Sequence, residues 1–251
     1  MSKKREKPKN WDKEAPKFSK VSKQDEYQEN LISKMKISKE DSVLDLGCGE
    51  GSITIPIAKN VKKVTAIDSS KKMLEILESK CKSKKINNVN IIKEDLENVT
   101  LEEFGKHDIV LLSRSINGIY KIKETLNNIN KIANKYVYIT IFGPNNWKFE
   151  KDFYNLIGKE DSGFAPYNYL FNIIINMEIY PNVENLEIKT NKSYKSIDDA
   201  IANGKWNIDS FTDEEKNQLY NYLKKNLIKN KNGKLEHPDD KSEWILIWWK
   251  K

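Results

Sequence analysis

The chain has 251 residues, of which 38% are hydrophobic, and a formal net charge of +7 at pH 7. This length allows one α/β domain with a sizeable core and an accessory element. Because no apolar run reaches about 18 residues and the N-terminus is charged from Ser2 onward, we expect neither a membrane span nor a secretion signal, and therefore a cytoplasmic protein.

The cysteines and histidines do not form a recognisable metal or disulfide pattern. Cys48 and Cys81 lack partners at the spacing of a zinc site or a disulfide framework, and the histidines are His107 and His237. We therefore predict two unpaired thiols and no bound metal.

Most of the positive charge lies at the N-terminus. Residues 1–24 hold nine basic and three acidic side chains, so they supply +6 of the net charge and the rest is nearly neutral. A Lys-rich, Pro-interrupted terminus is typical of a disordered, solubilising segment, although such an arm can also grip phosphates. We predict a basic flexible tail over residues 1–24 and a folded domain over residues 25–251.

The segment before the first strand has the pattern of an amphipathic helix. Its apolar residues fall at helical spacing: Tyr27, Leu31, Ile32 and Met35. Such a segment could cover a ligand, which makes Trp11 and Tyr27, together with Phe18, candidates for contact with a bound molecule. The alternative is that these rings only anchor the segment to the core.

A buried strand followed by a glycine turn organises the chain. Val43 to Leu46 are apolar on both faces apart from Asp45, and Gly47, Gly49 and Gly51 follow before an apolar helix. This arrangement points backbone N–H groups at a nucleotide-like ligand. The dinucleotide fingerprint requires its third glycine at position 52, where the chain has Ser52. The carboxylate of Asp45 would repel a pyrophosphate but could accept hydrogen bonds from an ammonium group.

Asp-x-Gly-x-Gly-x-Gly, over residues 45–51, resembles the first motif of the class I S-adenosylmethionine (SAM) dependent methyltransferases. SAM carries an ammonium and a sulfonium group, which suits Asp45. The resemblance implies that Asp45, Gly47, Cys48 and Gly49 bind this cofactor.

The second strand, in residues 61–69, ends at Asp68, which lies 21 residues after Gly47. An acidic residue about 20 residues beyond such a turn accepts hydrogen bonds from ribose hydroxyls. The alternative is a helix cap, a role that Ser69 or Ser70 could also fill. We favour ribose binding by Asp68 and include Ser69 and Met73 among the predicted cofactor-binding residues.

A third strand, Val89 to Ile92, is followed by Glu94-Asp95-Leu96, which resembles the third motif of the same family. The resemblance implies that Asp95 accepts from the adenine amino group and that the Leu96 N–H donates to a ring nitrogen. A surface-loop carboxylate is the alternative for Asp95.

The apolar run from His107 to Ser113 predicts the fourth, central strand. Ligands lie beyond the carboxyl ends of such strands, so Ser113 is predicted to contact the cofactor, and Arg114 and Tyr120 the substrate. Arg114 stays protonated, so it could bind a substrate anion or the SAM carboxylate, or form a structural ion pair. At this position, enzymes that methylate amino groups of DNA or glutamine have an Asn/Asp-Pro-Pro-Tyr/Phe motif. The chain lacks it, so we give less weight to these substrates. We name no catalytic base.

Residues 136–142 predict a fifth strand, and the aromatic-rich residues 144–183 resemble the variable substrate cap of these enzymes. Phe211 to Leu227 predict a helix capped by Thr212. The terminal run Trp244 to Trp249 predicts a strand that, by the resemblance, lies antiparallel between the fifth and sixth. The expected fold is α/β: a doubly wound, mostly parallel seven-stranded sheet of Rossmann-like type with an N-terminal helical segment and a cap inserted after the fifth strand.

The predicted function is direct in-line methyl transfer from SAM to a small-molecule acceptor, with S-adenosylhomocysteine (SAH) as product. One alternative is an RNA or protein methyltransferase recruited by the basic tail. Another is a SAM- or SAH-binding protein without methyl transfer, and a nicotinamide-linked oxidoreductase is disfavoured by Ser52 and Asp45.

Overall fold

The computed structural model describes residues 11–13, 15, 26–146, 148–159, 167–188, 192–204, 206, 210–240 and 242–251. Phe18 and most of the predicted tail lie outside these residues. The chain divides into two compact units. The first comprises residues 1–141, 168–184 and 245–251, and the second comprises residues 142–167 and 185–244. None of the helices that the structure describes is both long and apolar enough to cross a membrane.

Ten strands are described. They are β1 (Ser42–Leu46), β2 (Lys63–Asp68), β3 (Val89–Lys93), β4 (His107–Ser113), β5 (Ala133–Phe142), β6 (Asn182–Leu186), β7 (Ser193–Tyr194), β8 (Ile228–Lys229), β9 (Leu235–Glu236) and β10 (Trp244–Lys250). Seven of them form one sheet in the order β3-β2-β1-β4-β5-β10-β6, and the other three form a small sheet in the order β7-β9-β8.

Nine α-helices are described alongside them. They are α1 (Glu26–Lys34), α2 (Thr54–Ala58), α3 (Lys71–Ser83), α4 (Leu101–Phe104), α5 (Ile122–Ile132), α6 (Lys148–Leu156), α7 (Tyr167–Ile175), α8 (Ile197–Asn203) and α9 (Asp213–Asn226). Short 3₁₀ turns span Leu96–Asn98 and Ile116–Gly118.

The centre of the large sheet is parallel. β1 pairs in parallel with β2 and with β4, and β2 with β3 and β4 with β5 run in the same sense. The chain therefore winds outward from β1 on one side and from β4 on the other, so the strand order reverses between these two strands. Strands β1 and β4 are buried almost throughout, as expected for parallel strands covered on both faces.

The last strand lies between β5 and β6 and runs against β5. The N–H of Lys251 donates to the carbonyl of Lys135 near the start of β5, and the N–H of Gly143 just after β5 donates to Glu243, just before β10. The two hydrogen bonds join opposite ends of the strands, which is an antiparallel pairing. The predicted α/β fold with a seven-stranded, mostly parallel sheet is confirmed, including the position of the terminal strand.

The second unit has its own aromatic core. Phe149 and Phe153 of α6 pack with Phe211, Tyr222 and Trp206, at ring-centre distances of 5.3–5.8 Å. Helix α9 begins at Thr212 with the predicted cap, in which Thr212 and Glu215 form a reciprocal capping box. The unit takes in residues 185–244, whereas residues 168–183 of the predicted cap group with the first unit. The aromatic side chains of α6 thus pack against residues far downstream, and the cap over residues 144–183 stays a prediction.

Candidate functional site at the carboxyl edge of the sheet

The glycine turn after β1 is anchored to the neighbouring strand. The N–H groups of Gly47 and Cys48 both donate to the carbonyl of Ile67 in β2, at 2.8 and 3.0 Å. Gly47, Gly49 and Gly51 have φ values of +76°, +54° and +85°, a backbone conformation that favours glycine. The turn therefore depends on its glycines for its shape.

Gly47 also has no room for a side chain. A Cβ atom added there would lie 2.3 Å from Cβ of Ser115. Ser115 is held in this place because its hydroxyl donates to the carbonyl of Leu46 at 2.7 Å. The loop after β4 is thus packed directly on the glycine turn after β1.

Asp45 is the most unusual charged group at this edge. The residue is 1% exposed. Its Oδ2 accepts a hydrogen bond of 2.6 Å from the hydroxyl of Thr54 at the start of α2, whereas its Oδ1 is buried with no partner among the described residues. Burial raises the pKa of Asp45 to about 6, against the opposing effect of the Thr54 hydrogen bond. One oxygen of a buried carboxylate is therefore left for a donor outside the described residues.

Asp68, at the end of β2, holds two turns at once. Its Oδ2 accepts from the Gly49 N–H and its Oδ1 from the Ser70 N–H, both at 2.9 Å. Each carboxylate oxygen can accept a second hydrogen bond. Burial raises the pKa of Asp68, and the two backbone N–H groups counteract this rise. The side chain is therefore both a structural support and a possible acceptor for a ligand.

The two serines after Asp68 have different surroundings. Ser70 caps α3 by accepting from the N–H of Met73 at 3.2 Å, while Ser69 is exposed and Met73 is buried. The Ser70 hydroxyl also donates to Asp12 at 2.6 Å, and Asp12 accepts from the Lys72 N–H at 3.2 Å. These contacts bring the N-terminal segment, with Trp11, next to Asp68.

Asp95 and Leu96 follow β3 at the same edge. Asp95 is exposed and caps the short 3₁₀ turn by accepting from the Glu97 N–H at 2.9 Å. The Cδ1 atom of Leu96 lies 3.4 Å from the position of a Cβ atom on Gly47, so Leu96 borders the glycine turn. Glu97 accepts from the backbone N–H of Tyr120, which places Tyr120 beside the Asp95 loop.

Tyr27, Ser113 and Arg114 meet beyond the ends of β4 and β5. The Tyr27 hydroxyl lies 2.7 Å from Oγ of Ser113 and 2.6 Å from Oγ1 of Thr140. The guanidinium carbon of Arg114 lies 4.1 Å from the centre of the Tyr27 ring, a cation–π distance. The Arg114 N–H donates to Thr140 at 2.9 Å. The predicted residues Tyr27, Ser113 and Arg114 are therefore brought together.

Four further residues shape this edge and were missed from the sequence: Thr54, Ser115, Thr140 and Asp12. Ser115, Thr140 and Asp12 act through side chains that contact residues distant along the chain, and none belongs to a recognisable local motif. Thr54, which comes shortly after the glycine turn and contacts Asp45, is the one that could have been suspected from its position.

His107 lies at the opposite edge of the sheet. It is 3% exposed, and its Nε2 is 2.9 Å from the hydroxyl of Thr65. Burial lowers its pKa, so the ring is neutral at neutral pH. Among the described residues no group of three or more His, Cys, Asp or Glu side chains is arranged to hold a metal ion.

A family model described as a methyltransferase domain matches residues 37–227. The chain belongs to this family. Together with the sheet order, this membership confirms the predicted class I, Rossmann-like methyltransferase, an enzyme that uses SAM as its cofactor.

Two matches extend along most of the methyltransferase chain. An uncharacterized protein of Haemophilus influenzae is 26% identical over 245 residues, which cover 96% of this chain and 89% of that protein. The crystal structure of the YcgJ protein of Bacillus subtilis is similar in fold, with a TM-score of 0.60 at 14% identity over 90% of this chain and 97% of that one.

Other matches are local. A probable cobalt-precorrin-6B C(15)-methyltransferase (decarboxylating) of Methanocaldococcus jannaschii is 34% identical over 117 residues, or 42% of this chain and 64% of that enzyme. A probable ribosomal RNA small subunit methyltransferase A of Methanosphaera stadtmanae is 34% identical over 76 residues, or 30% of this chain and 28% of that enzyme. The chain spans less than two thirds of either enzyme, and their named substrates are of two different kinds.

Proposed function

We propose that this methyltransferase transfers the SAM methyl group to a small-molecule acceptor, and that the carboxyl edge of the first unit binds the cofactor. The observation that carries the proposal is the buried Oδ1 of Asp45, which has no partner among the described residues. A buried carboxylate oxygen without a hydrogen bond is costly, and an ammonium group is the donor that would relieve this cost best. Asp45 lies two residues before the glycine turn, so the ammonium would approach it from that side, either directly or through one water. The approach is narrow, since Asp45 is 1% exposed.

The other predicted cofactor residues are assigned by their places along this edge. Gly47, Cys48 and Gly49 form the turn over which the methionine part would lie. Asp68 would accept from the ribose hydroxyls with its remaining lone pairs, beside Ser69 and Met73. Asp95 and Leu96 would contact adenine, and Ser113 would face the cofactor from β4. We propose Arg114, Tyr27, Tyr120 and Trp11 as substrate-side residues.

SAM supplies a methyl group that is already activated by the sulfonium. The residues of this chain therefore mainly have to align the acceptor and exclude water. Among the described residues, the buried histidine His107 is at the opposite edge of the sheet, so it takes no part in proton removal. We assign no general base, since an acceptor whose nucleophilic atom has an available lone pair needs none for the transfer itself.

Two alternatives remain. An RNA or protein acceptor would be recruited by the basic tail, which carries +6 of the net charge, and the binding would then weaken steeply with salt. A SAM- or SAH-binding protein without methyl transfer would keep the cofactor affinity and give no methylated product. The near-neutral remainder of the chain favours a small molecule.

The first test is calorimetric titration of the protein with SAH and, separately, with NAD. We expect binding of SAH and none of NAD. The matched variants are Asp45→Asn, at the carboxyl end of β1, and Asp41→Asn, a buried carboxylate at the amino end of the same region. We expect a loss of SAH affinity of tenfold or more in Asp45→Asn, since the lost hydrogen bond is to a charged group, and no change in Asp41→Asn.

The second test is incubation with methyl-labelled SAM and a fractionated cell extract. Label in the small-molecule fraction supports the proposal. Label in RNA or protein that disappears when the basic residues 1–9, which precede Trp11 and Asp12, are deleted supports the first alternative instead. Tight SAH binding without label in any fraction supports a binding protein, and equal SAH affinity of the two aspartate variants contradicts the assignment of Asp45.

A further inference from the structure

Arg114 has a backbone conformation that arginine rarely adopts. Its φ is +59°, in the left-handed region, where the backbone of a residue other than glycine is strained. The Arg114 N–H donates to the hydroxyl of Thr140, itself fully buried, at 2.9 Å. A hydrogen bond donated to Thr140 of β5 thus holds this strained backbone in place, and strain of this kind concentrates at functional sites.

The side chain of Arg114 is fixed by Tyr27. The ring of Tyr27 is 3% exposed, and its hydroxyl is held between Ser113 and Thr140 at 2.7 and 2.6 Å. The guanidinium stacks on this ring at 4.1 Å from its centre. The ring cannot move without breaking both hydrogen bonds, so an exposed cation is held against an immobile support.

Stacking on a tyrosine uses the face of the guanidinium. The N–H donors lie in its plane, where their fork matches the two oxygens of a carboxylate. The guanidinium group carries a delocalised positive charge. Its chemistry therefore suits an anionic, planar group.

The sheet register places Arg114 beside the glycine turn. Asp45 pairs with Leu111 near the ends of the adjacent strands β1 and β4, and Gly47 lies against Ser115, the residue after Arg114. The strand order reverses between β1 and β4, and ligands of doubly wound sheets bind at such a point. Asp45 and Asp68 supply carboxylates at the ends of β1 and β2, and Arg114 supplies a positive charge at the end of the adjacent strand β4.

We propose that Arg114, positioned by Tyr27 and Thr140, binds a carboxylate group at the carboxyl end of β4. This inference rests on the proposed function, because it takes the glycine turn to be the SAM site. Two carboxylates have the required chemistry: the one on the methionine part of the cofactor and one on an acidic small-molecule acceptor.

The experiment compares Arg114→Gln and Arg114→Lys with the wild-type protein. Arg114→Gln removes the charge, and Arg114→Lys keeps it without the planar fork. Lys123→Gln, an exposed lysine on α5, is the matched control for loss of one positive charge. Thermal melting establishes that each variant is folded. If Arg114→Gln does not fold, Arg114→Lys carries the comparison alone.

Two pairs of ligands separate the two carboxylates. The first pair is SAH and 5′-methylthioadenosine, which lacks the amino-acid part; both are titrated by calorimetry. The second pair is benzoate and its neutral counterpart benzamide, each added to protein saturated with SAH and followed by the shift in melting temperature. These probes need no knowledge of the natural acceptor.

If Arg114 binds the cofactor carboxylate, Arg114→Gln lowers the SAH affinity about tenfold or more, with methylthioadenosine unaffected. If it binds an acceptor carboxylate, SAH affinity is unchanged and the stabilisation by benzoate, which exceeds that by benzamide in the wild type, is lost. In both cases Arg114→Lys is intermediate and Lys123→Gln behaves as wild type. The proposal is overturned if neither pair responds to the variants, or if SAH and methylthioadenosine lose affinity together. Failure of the wild type to bind SAH would instead refute the proposed function.

Discussion

The two edges of the large sheet differ in whether their carboxylates have hydrogen-bond partners. At the amino edge, near the starts of β1 and β4, carboxylates are paired. Asp41 accepts from Lys135 and from the Ser38 N–H, and Asp108 accepts from the N–H and hydroxyl of Ser42, both at 2.8 Å. At the carboxyl edge, one oxygen of Asp45 has no partner among the described residues. The same strands thus end in a satisfied network at one edge and in an incomplete one at the other.

Backbone strain follows a similar division. Three glycines with positive φ and the strained Arg114 lie together at the carboxyl edge. At the amino edge, Lys85 before β3 and Gly105 before β4 have φ values of +55° and +64°. Both residues follow helix ends, where such a conformation terminates a helix. One exception to the satisfied edge is Nδ1 of His107, which is buried without a described partner; a neutral ring nitrogen is much less costly to leave unpaired than a carboxylate. The contrast indicates that the amino edge stabilises the fold and that the carboxyl edge is organised for a ligand.

The largest effect on stability is expected for Gly47→Ala. The new Cβ would meet Ser115 at 2.3 Å, and the residue has a φ of +76°, so we expect a loss of about 2–4 kcal/mol in the free energy of unfolding. Gly49→Ala is the matched control. Its φ is +54° but no atom of the described residues lies within 4 Å of the added Cβ, so Gly49→Ala should lose about 1 kcal/mol. Urea unfolding measures both, and equal losses would show that packing of the β4 loop on the turn is unimportant.

Asp45→Asn should increase stability at neutral pH in the absence of ligand. Because the pKa of Asp45 is raised to about 6 in the folded protein, the folded state binds a proton more tightly than the unfolded state. The stabilisation of the folded state by the protonated Asp45 is present below about pH 4 and is lost as the pH rises to about 6. At neutral pH the free energy of unfolding is therefore lower by about 3 kcal/mol. Asparagine removes this loss, so the free energy of unfolding at pH 7 should rise by up to that amount.

The same titration should appear in ligand binding. An ammonium group requires the ionised Asp45, so the wild-type SAH affinity should rise with pH by up to tenfold per unit below about pH 6 and level off above it. In Asp45→Asn the affinity should be low and this rise should vanish. A wild-type SAH affinity that stays constant between about pH 4.5 and about pH 7 would show that Asp45 does not face the ammonium.

Asp41→Asn should have the opposite consequences. Asp41 is 3% exposed and paired with Lys135, so removal of its charge should cost about 1–2 kcal/mol in stability. The SAH affinity should be unchanged, because the residue is at the amino edge. Calorimetry should show a loss of SAH affinity in Asp45→Asn alone, and urea unfolding a loss of stability in Asp41→Asn alone. A variant that loses both SAH affinity and stability would contradict the division between the edges.

The smallest effect is expected for Lys85→Gly. Glycine relieves the left-handed backbone at the end of α3, and the expected gain in stability is about 0.5 kcal/mol after the entropy cost of glycine is subtracted. Lys84→Gly, where φ is −97°, should lose stability instead. Neither variant should alter SAH affinity, and thermal melting distinguishes their signs.

The sequence was sufficient where the determining pattern is local. The five parallel strands, the glycine turn and the Thr212 cap follow from short periodic runs and from residues at fixed spacing. The Tyr27 contacts could not be predicted, because they join α1 to Ser113 and Thr140 across 86 and 113 residues. The two-residue strands β7, β8 and β9 are too short to give a periodic signal. The packing of Phe211 and Tyr222 on α6 could not be predicted either, because it depends on the tertiary fold.

Asp68 and Asp45 should be replaced at different rates in related proteins that no longer bind the cofactor. Asp68 holds the Gly49 and Ser70 N–H groups, so a descendant without cofactor binding would still be destabilised by its replacement. Asp45 destabilises the empty protein at neutral pH, and drift would remove it readily once no ligand selected for it. An aspartate at position 68 in a related chain is thus weak evidence for cofactor binding, whereas the loss of the aspartate at position 45 would be an early sign that the enzyme had become a binding or structural protein.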